Sequence, residues 1–268
     1  MRIAKELLFP IVFTILLAGC ASAASNSIPS ASGSTTGSIL PQSRSSSTIV
    51  WKAGDPYLGK WTTSNSNQCG HPSNSSTTFA FTLNRYGTEC GRNQANPING
   101  DGTFLRLSDG ATYTWTFNYF DGKPGTRAIG MGVDRDARAL IWQIHGYLEY
   151  DSPCTSLEFV NGPHNTGGPQ RWGLGTCSGL VWTGTYTPGE SDSFKIVARI
   201  SESSSGYTQL YRNGILVASV NGANYHNSSG NPWWNFGPYK WRWMLSNGGG
   251  SDLYQVNATI TNMLLTQN

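Results

Sequence analysis

The chain has 268 residues and a net charge of +3; charged residues and aromatic rings each make up 12%, and there are 32 glycines. So mild a charge excludes a nucleic-acid interface, which needs a strongly basic face. Few charges with many rings and glycines is instead the composition of an exported β protein of the kind that meets carbohydrate, and the length allows one large β domain or two small ones.

Residues 1–6 carry Arg2 and Lys5 and are followed by an apolar run, Leu7 to Ala18. That run is shorter than the roughly 20 residues needed to span a bilayer and has the layout of a secretory signal. It ends Leu17-Ala18-Gly19-Cys20, which resembles the bacterial lipobox. The expectation is a signal over 1–20, secretion across the inner membrane, and a lipid anchor on Cys20 at the cell envelope, at the outer membrane or cell surface. Each buried CH₂ of the acyl chains would add about 0.8 kcal/mol. The alternative is an ordinary signal cleaved after Ala21-Ser22-Ala23. Residues 21–48 are Ser-rich without apolar periodicity and read as a flexible tether, leaving 49–268 as the folded domain.

With Cys20 set aside, Cys69, Cys90, Cys154 and Cys177 remain. An even number in an exported chain predicts two disulfides. Four cysteines permit three connectivities, of which the local pairs Cys69–Cys90 and Cys154–Cys177 are favoured. No Cys-x-x-Cys or Cys/His cluster is present, so neither a metal nor a cofactor is expected. His71, His164 and His226 fall in Gly/Pro/Asn-rich loops and read as solvated.

The domain reads as short strands. Thr77 to Leu83 alternates around Phe79 and Phe81. In Ala111 to Phe120, Tyr113, Trp115, Phe117 and Tyr119 share one face. Leu140 to Tyr147 and Ser156 to Val160 follow. Phe194 to Ser201 points Phe194, Ile196, Ala198 and Ile200 inward. Tyr207 to Tyr211 and Ile215 to Val220 flank Asn213-Gly214, a strong hairpin signal. Lys240 to Leu245 and Asn257 to Thr266 close the chain. Many short strands without a long amphipathic helix predict an all-β sandwich or jelly roll of the concanavalin A-like type.

The segment Leu140-Ile141-Trp142-Gln143-Ile144-His145-Gly146-Tyr147 carries the chemistry. A period of two places Leu140, Trp142 and Ile144 on one face and Gln143, His145 and Tyr147 on the other. Such a polar row is costly to bury without partners and fits the floor of a wet cleft; the alternative is a solvated outer face. Gln143-Ile144-His145 resembles the Gln-(Ile/Val)-His motif of alginate-lyase-type polysaccharide lyases, which share a β-jelly roll with heparin-lyase-like and glucuronan-lyase-like enzymes. Trp234-Asn235-Phe236-Gly237-Pro238-Tyr239-Lys240 resembles their late Tyr-Phe-Lys-(Ala/Phe)-Gly-x-Tyr strand, with Asn235 in place of the Lys. Order and spacing agree from Phe79 to Gln267. The Arg-x-Glu-x-Arg motif is not intact: its nearest match is centred on Glu89, with Arg85 upstream and Arg92 downstream.

The resemblance implies β-elimination at a uronic acid in alginate, glucuronan or a glycosaminoglycan-like polymer, by a monomer needing no metal. Gln143 and Arg92, with Arg85 in reserve, would neutralise the carboxylate beside the reacting carbon. His145 would serve as base. Tyr239 would give a proton to the leaving oxygen, or itself act as base. Glu89, Tyr147, Lys240, Arg242 and Trp234 are expected to bind substrate, the last by stacking on a sugar ring, a role for which Trp233 is also a candidate. Two rivals stand beside this reading. One is a non-catalytic sugar-binding lipoprotein on the same fold. The other is a glycoside hydrolase using Glu149 and Asp151, or Glu158, whose spacing does not match the Glu-x-Asp-x-x-Glu strand of jelly-roll glucanases.

Overall fold

A computed structural model describes residues 46–63, 70–84, 91–121, 139–146, 154–161, 170–187, 189–226, 230–239 and 255–268. All belong to a compact unit spanning Arg44–Asn268. The expected signal, Cys20, most of the tether, Cys69, Cys90, His164 and the strand expected over 240–245 lie outside the described residues.

The described residues form strands and no helix. In chain order they are β1 (Thr48–Lys52), β2 (Trp61–Thr63), β3 (Ser73–Ser75), β4 (Thr78–Asn84) and β5 (Ala95–Pro97). Next come β6 (Thr112–Asp121), β7 (Ala139–His145), β8 (Thr155–Asn161), β9 (Gln170–Thr176) and β10 (Gly179–Thr185). The last are β11 (Ser191–Arg199), β12 (Tyr207–Arg212), β13 (Ile215–Asn221), β14 (Trp233–Tyr239) and β15 (Gln255–Gln267). The larger sheet runs β13-β12-β11-β6-β15-β4-β3, with β1 also on β15, and the smaller runs β10-β9-β8-β7-β14-β5-β2. Neighbours pair antiparallel, and the two sheets pack face to face as the jelly-roll sandwich that the sequence predicts.

Alternation explains the strands. β6 buries every second residue, and the inward ones are the expected Tyr113, Trp115, Phe117 and Tyr119. β11 does the same with Phe194, Ile196 and Ala198. Asn213 (φ 51°) and Gly214 (φ 80°) make the hairpin turn between β12 and β13, both in the left-handed region that such two-residue loops require. Aromatic rings join the sheets. Trp115 meets Trp142 edge-on at 5.0 Å, Trp51 meets Trp234 at 5.6 Å, Phe79 meets Phe236 at 4.9 Å and Tyr119 meets Trp172 at 4.9 Å. Each such pair adds about 0.5–1.5 kcal/mol beyond its buried area. Cys154 and Cys177 are bonded as the favoured pairing requires, tying the start of β8 to the β9–β10 turn.

Several features depart from the sequence reading, among them the three-residue strands β2, β3 and β5, which were not expected. β9 and β10 were not expected, because Gln170-Arg171-Trp172-Gly173-Leu174-Gly175-Thr176 puts glycines where a strand usually shows branched or aromatic side chains. Leu140 does not share the face of Trp142 and Ile144. The pairing with β8 shifts between Leu140 and Trp142, and this bulge gives Ile141 the core position and turns Leu140 outward.

At one end of the sandwich, polar groups replace rings. Arg212 grips Asp192 with Nε at 2.7 Å and Nη2 at 3.0 Å, and Trp172 donates its indole N–H to the same carboxylate at 2.8 Å. Beside them Tyr186 donates its hydroxyl to the buried Asp121. Burial raises the Asp121 carboxyl from 3.8 to about 6, against the opposing pull of the Tyr186 hydrogen bond. A carboxyl that holds its proton more tightly when folded contributes stability that is full below pH 3.8 and is lost as pH rises to about 6. At 1.36 kcal/mol per pKa unit the loss is on the order of 2–3 kcal/mol. Asp121→Asn keeps an acceptor for Tyr186 and removes the titration. Urea unfolding should therefore find this variant more stable than the parent at pH 8 by about 2 kcal/mol, with the gain vanishing near pH 4.

Candidate active site

The outward face of the smaller sheet is set by the rings on its inward face. Ile144 and Trp142 of β7, Trp234 and Phe236 of β14, Ala95 of β5 and Leu157 and Phe159 of β8 all enter the core. Their neighbours must therefore point the other way, and these are polar. Register arranges them in rows across the strands.

The middle row begins with Thr62, paired with Asn96. The pair Phe236–Ala95 sets Asn235 beside Asn96. Asn235 pairs with Gln143, Gln143 with Ser156, and Ser156 with Gly175. On one side of this row Arg106 pairs with Trp233 and Trp233 with His145. On the other, Arg92 pairs with Tyr239, Tyr239 with Leu140, and Leu140 with Glu158. Gln143 thus lies between His145 and Tyr239.

Most of this face is buried. Asn96, Gln143 and Asn235 are 0% exposed, while Arg92, His145 and Glu158 reach at most 5%. Both ends of the Gln143 amide, both ends of the Asn96 amide and Nδ2 of Asn235 have no hydrogen-bond partner among the described residues. A buried polar group left unpaired costs about 1–3 kcal/mol, so a cluster of them on one face calls for partners that water or a ligand can supply. Arg92 and His145 are held in place by aromatic rings. The Arg92 guanidinium carbon sits 4.5 Å from the centre of the Tyr239 ring, a cation–π contact. The His145 imidazole stacks on Trp233 at 4.7 Å, and Trp233 stacks in turn on Phe104 at 4.8 Å. Gln94 donates Nε2 to Asn235 Oδ1 and to the Gly237 carbonyl, both at 3.2 Å, so Asn235 presents its N–H₂ outward. Gly175 leaves room for Glu158, since a Cβ there would come within 3.2 Å of Glu158 Oε1.

Of the expected site residues, the fold brings Gln143, His145, Tyr239 and Arg92 to one face. Trp234 is corrected: it is 1% exposed and packs edge-on against Trp51 and Trp115, so its ring is unavailable to a sugar. Trp233, one residue earlier, takes the site face. Arg85, Glu89, Tyr147, Lys240 and Arg242, with Glu149 and Asp151, lie outside the described residues. The positions that follow Arg92 at two-residue steps on the face are Gln94 and Asn96, giving Arg-x-Gln-x-Asn where the sequence reading centred the motif on Glu89. Gln94, Asn96 and Ser156 were not anticipated as site residues, and Glu158 was considered only as a carboxyl of the hydrolase rival. Their signal was present in Gln94-Ala95-Asn96 and Ser156-Leu157-Glu158-Phe159, where polar and apolar residues alternate. Among the described residues of this face Glu158 is the one carboxylate, whereas glycoside hydrolysis uses two.

Gly237 lets β14 reach Tyr239. Its φ is 111°, and a Cβ there would meet the Asn93 carbonyl oxygen and Phe81 Cε1, each at 2.6 Å. Gly237→Ala should lower the urea midpoint by the equivalent of about 2 kcal/mol or more, and should weaken any activity that needs Tyr239.

No protein-family model and no curated protein matches the sequence. Solved structures do match in fold. One is the marine PL7 alginate lyase AlyA1 from Zobellia galactanivorans, at 15% identity and TM-score 0.50, covering 83% of this chain and 94% of that one. Another is the endo-β-1,4-glucuronan lyase from the fungus Trichoderma reesei, at 12% identity and TM-score 0.51, covering 81% and 95%. The resemblance read from the sequence is thereby matched at the level of architecture: this chain has the jelly-roll sandwich found in these polysaccharide lyases.

Proposed function

We propose that the protein is a polysaccharide lyase that cleaves a uronate-containing acidic polymer by β-elimination. The observation that carries this reading is the shared face of Gln143, His145, Tyr239 and Arg92, with the Gln143 amide buried and unpartnered at both ends. The solved structures of similar fold are an alginate lyase and a glucuronan lyase, which supports the same class of substrate.

The chemistry sets three requirements. The C5 proton beside a carboxylate is very weakly acidic, so the carboxylate must be neutralised as charge develops on it. The Arg92 guanidinium and the Gln143 N–H₂ supply that. A base must take the C5 proton, and His145 is the imidazole at hand. The C5–H electron pair then forms the C4–C5 double bond and the C4–O bond breaks. The departing glycosidic oxygen takes a proton from the Tyr239 hydroxyl. His145 and Tyr239 stand on opposite sides of Gln143, so base and acid are separate groups around one bound carboxylate. Water re-protonates Tyr239 and deprotonates His145 to complete the turnover.

Purified protein should generate the ultraviolet absorbance of the new double bond on at least one polymer of a panel holding alginate, glucuronan and glycosaminoglycans. His145→Ala and Tyr239→Phe should each lower that rate by about 10²-fold or more with unchanged urea unfolding. An undiminished rate in His145→Ala would remove the assigned base. Binding across the panel without any double bond would instead favour the sugar-binding rival.

A further inference from the structure

One corner of the site face lies beyond Gln143 and His145, at the start of β8 and the turn after β9. The pairs Gln143–Ser156 and Ile144–Thr155, continued by one step, set His145 beside Cys154. The pair Ser156–Gly175, continued by two steps, sets Cys154 beside Cys177. The disulfide agrees: its Cα atoms are 4.4 Å apart, close to the spacing of directly opposed residues on antiparallel strands. Cys154 also lies on the outward face. It is buried, yet like Leu140, Val160 and Trp233 it takes no part in the core between the sheets. The row Arg106–Trp233–His145 therefore runs on into the disulfide.

A second imidazole stands at this corner. A ring nitrogen of His226 and the two sulfurs lie within 4.8 Å of one another. The chain just before His226 is pinned. Tyr225 is buried in the core and donates its hydroxyl to Asp109 at 3.1 Å. The buried Asn224 donates Nδ2 to the Arg199 and Tyr207 carbonyls at 2.7 and 3.2 Å and accepts from the Ser201 amide at 3.1 Å. With these two residues fixed, His226 is exposed at the rim of the face. Both sulfurs are bonded to each other, so the trio offers no thiolate to a metal; what it presents outward is the imidazole. The ion pair between described residues is Arg212–Asp192, so no described carboxylate competes for that imidazole.

Distance decides what His226 can meet. Two residues of strand separate Gln143 from His145, about 7 Å, and two strand spacings separate His145 from Cys177, about 10 Å. The disulfide corner is thus roughly 12 Å from Gln143. A group there lies out of reach of the sugar whose carboxylate Gln143 and Arg92 would hold. It lies within reach of a further ring of the same polymer, on the His145 side. A uronate ring carries a carboxylate and hydroxyls, and an imidazole N–H donates to either.

We propose that His226 is a substrate-binding residue of this site, set on the Cys154–Cys177 disulfide to hold a ring beyond the reacting uronate. The assignment rests on the lyase reading for the place of the reacting sugar and adds a contact that takes no part in bond breaking. The disulfide becomes part of the binding surface, and a segment that leaves the larger sheet contributes to a site built on the smaller one.

Binding and rate together separate this contact from catalysis. Calorimetry on the His145→Ala protein should use alginate, polyglucuronate and hyaluronan of matched length. Adding His226→Ala should weaken the tightest of these by about fivefold or more, and His226→Lys, which keeps a donor, should restore it to within about twofold. In the parent background His226→Ala should raise KM by a similar factor and leave kcat within about twofold. His226 is exposed, so urea unfolding should not change. Unchanged affinity in His226→Ala, binding of none of the three polymers, or a fall in kcat at unchanged KM would each overturn the assignment. A loss that lysine does not restore would overturn it as well. Double-bond formation with affinity and KM unchanged by His226→Ala would keep the lyase and overturn the contact. The expected affinity losses with no double bond from the parent would keep the contact and overturn the lyase.

Discussion

The aromatic layer between the sheets constrains everything else in this molecule. Trp51, Trp115, Trp142, Trp172 and Trp234 are each at most 1% exposed and lie in the same core. A one-residue slip in any strand carrying one of them would move a large ring from core to solvent and its polar neighbour from solvent to core. The register of β7 and β14 is therefore held by Trp142, Ile144, Trp234 and Phe236. Gln143, His145, Trp233 and Asn235 reach the opposite face because they are the residues in between. The site is in this sense the reverse side of the core, and rings that never meet a ligand decide which side chains do.

Departures from strict alternation add what the pattern alone does not provide. The bulge in β7 gives Ile141 to the core and brings Leu140 out beside Tyr239 and Glu158. On β14 the pairing shifts between Phe236 and Tyr239, and Gly237 at φ 111° fits where a side chain would strike Asn93 and Phe81. Both irregularities fall between the inner rows and the Tyr239–Arg92 contact. Bulges of this kind re-aim side chains, and here they set an apolar residue, a phenol and a guanidinium side by side.

The same face explains the balance of charge and neutrality. A row of amides is costly in a closed core, because each buried end left unpaired weighs against folding. It suits recognition of a ligand that both donates and accepts. Arg92 against the Tyr239 ring and His145 against Trp233 keep the two titratable candidates at fixed places on either side of the amides. The face is thus rigid where chemistry is proposed and open in hydrogen-bonding capacity where a sugar is proposed to lie.

Much of this was legible in the residues. The inward faces of β6 and β11 follow from period-two alternation, the Asn213-Gly214 hairpin from turn chemistry, and the outward setting of Gln143 and His145 from their place between Trp142 and Ile144. β9 was hidden because Gly173 and Gly175 erase the pattern, although a Cβ at Gly175 would crowd Ser156 and Glu158 and one at Gly173 would strike Leu180 and Val160. Trp233 and Trp234 are chemically identical neighbours, and nothing local distinguishes the ring that packs inside from the ring that stacks on His145. The sequence by itself determined which residues alternate, since side-chain period and turn preference are local properties of the chain. Only the tertiary structure decided which strands lie side by side, where the bulges fall, and so which alternating residues meet. Asn96, Asn235, Gln143 and Ser156 are scattered over about 140 positions of sequence, and they become one row only because β5, β14, β7 and β8 are hydrogen-bonded neighbours.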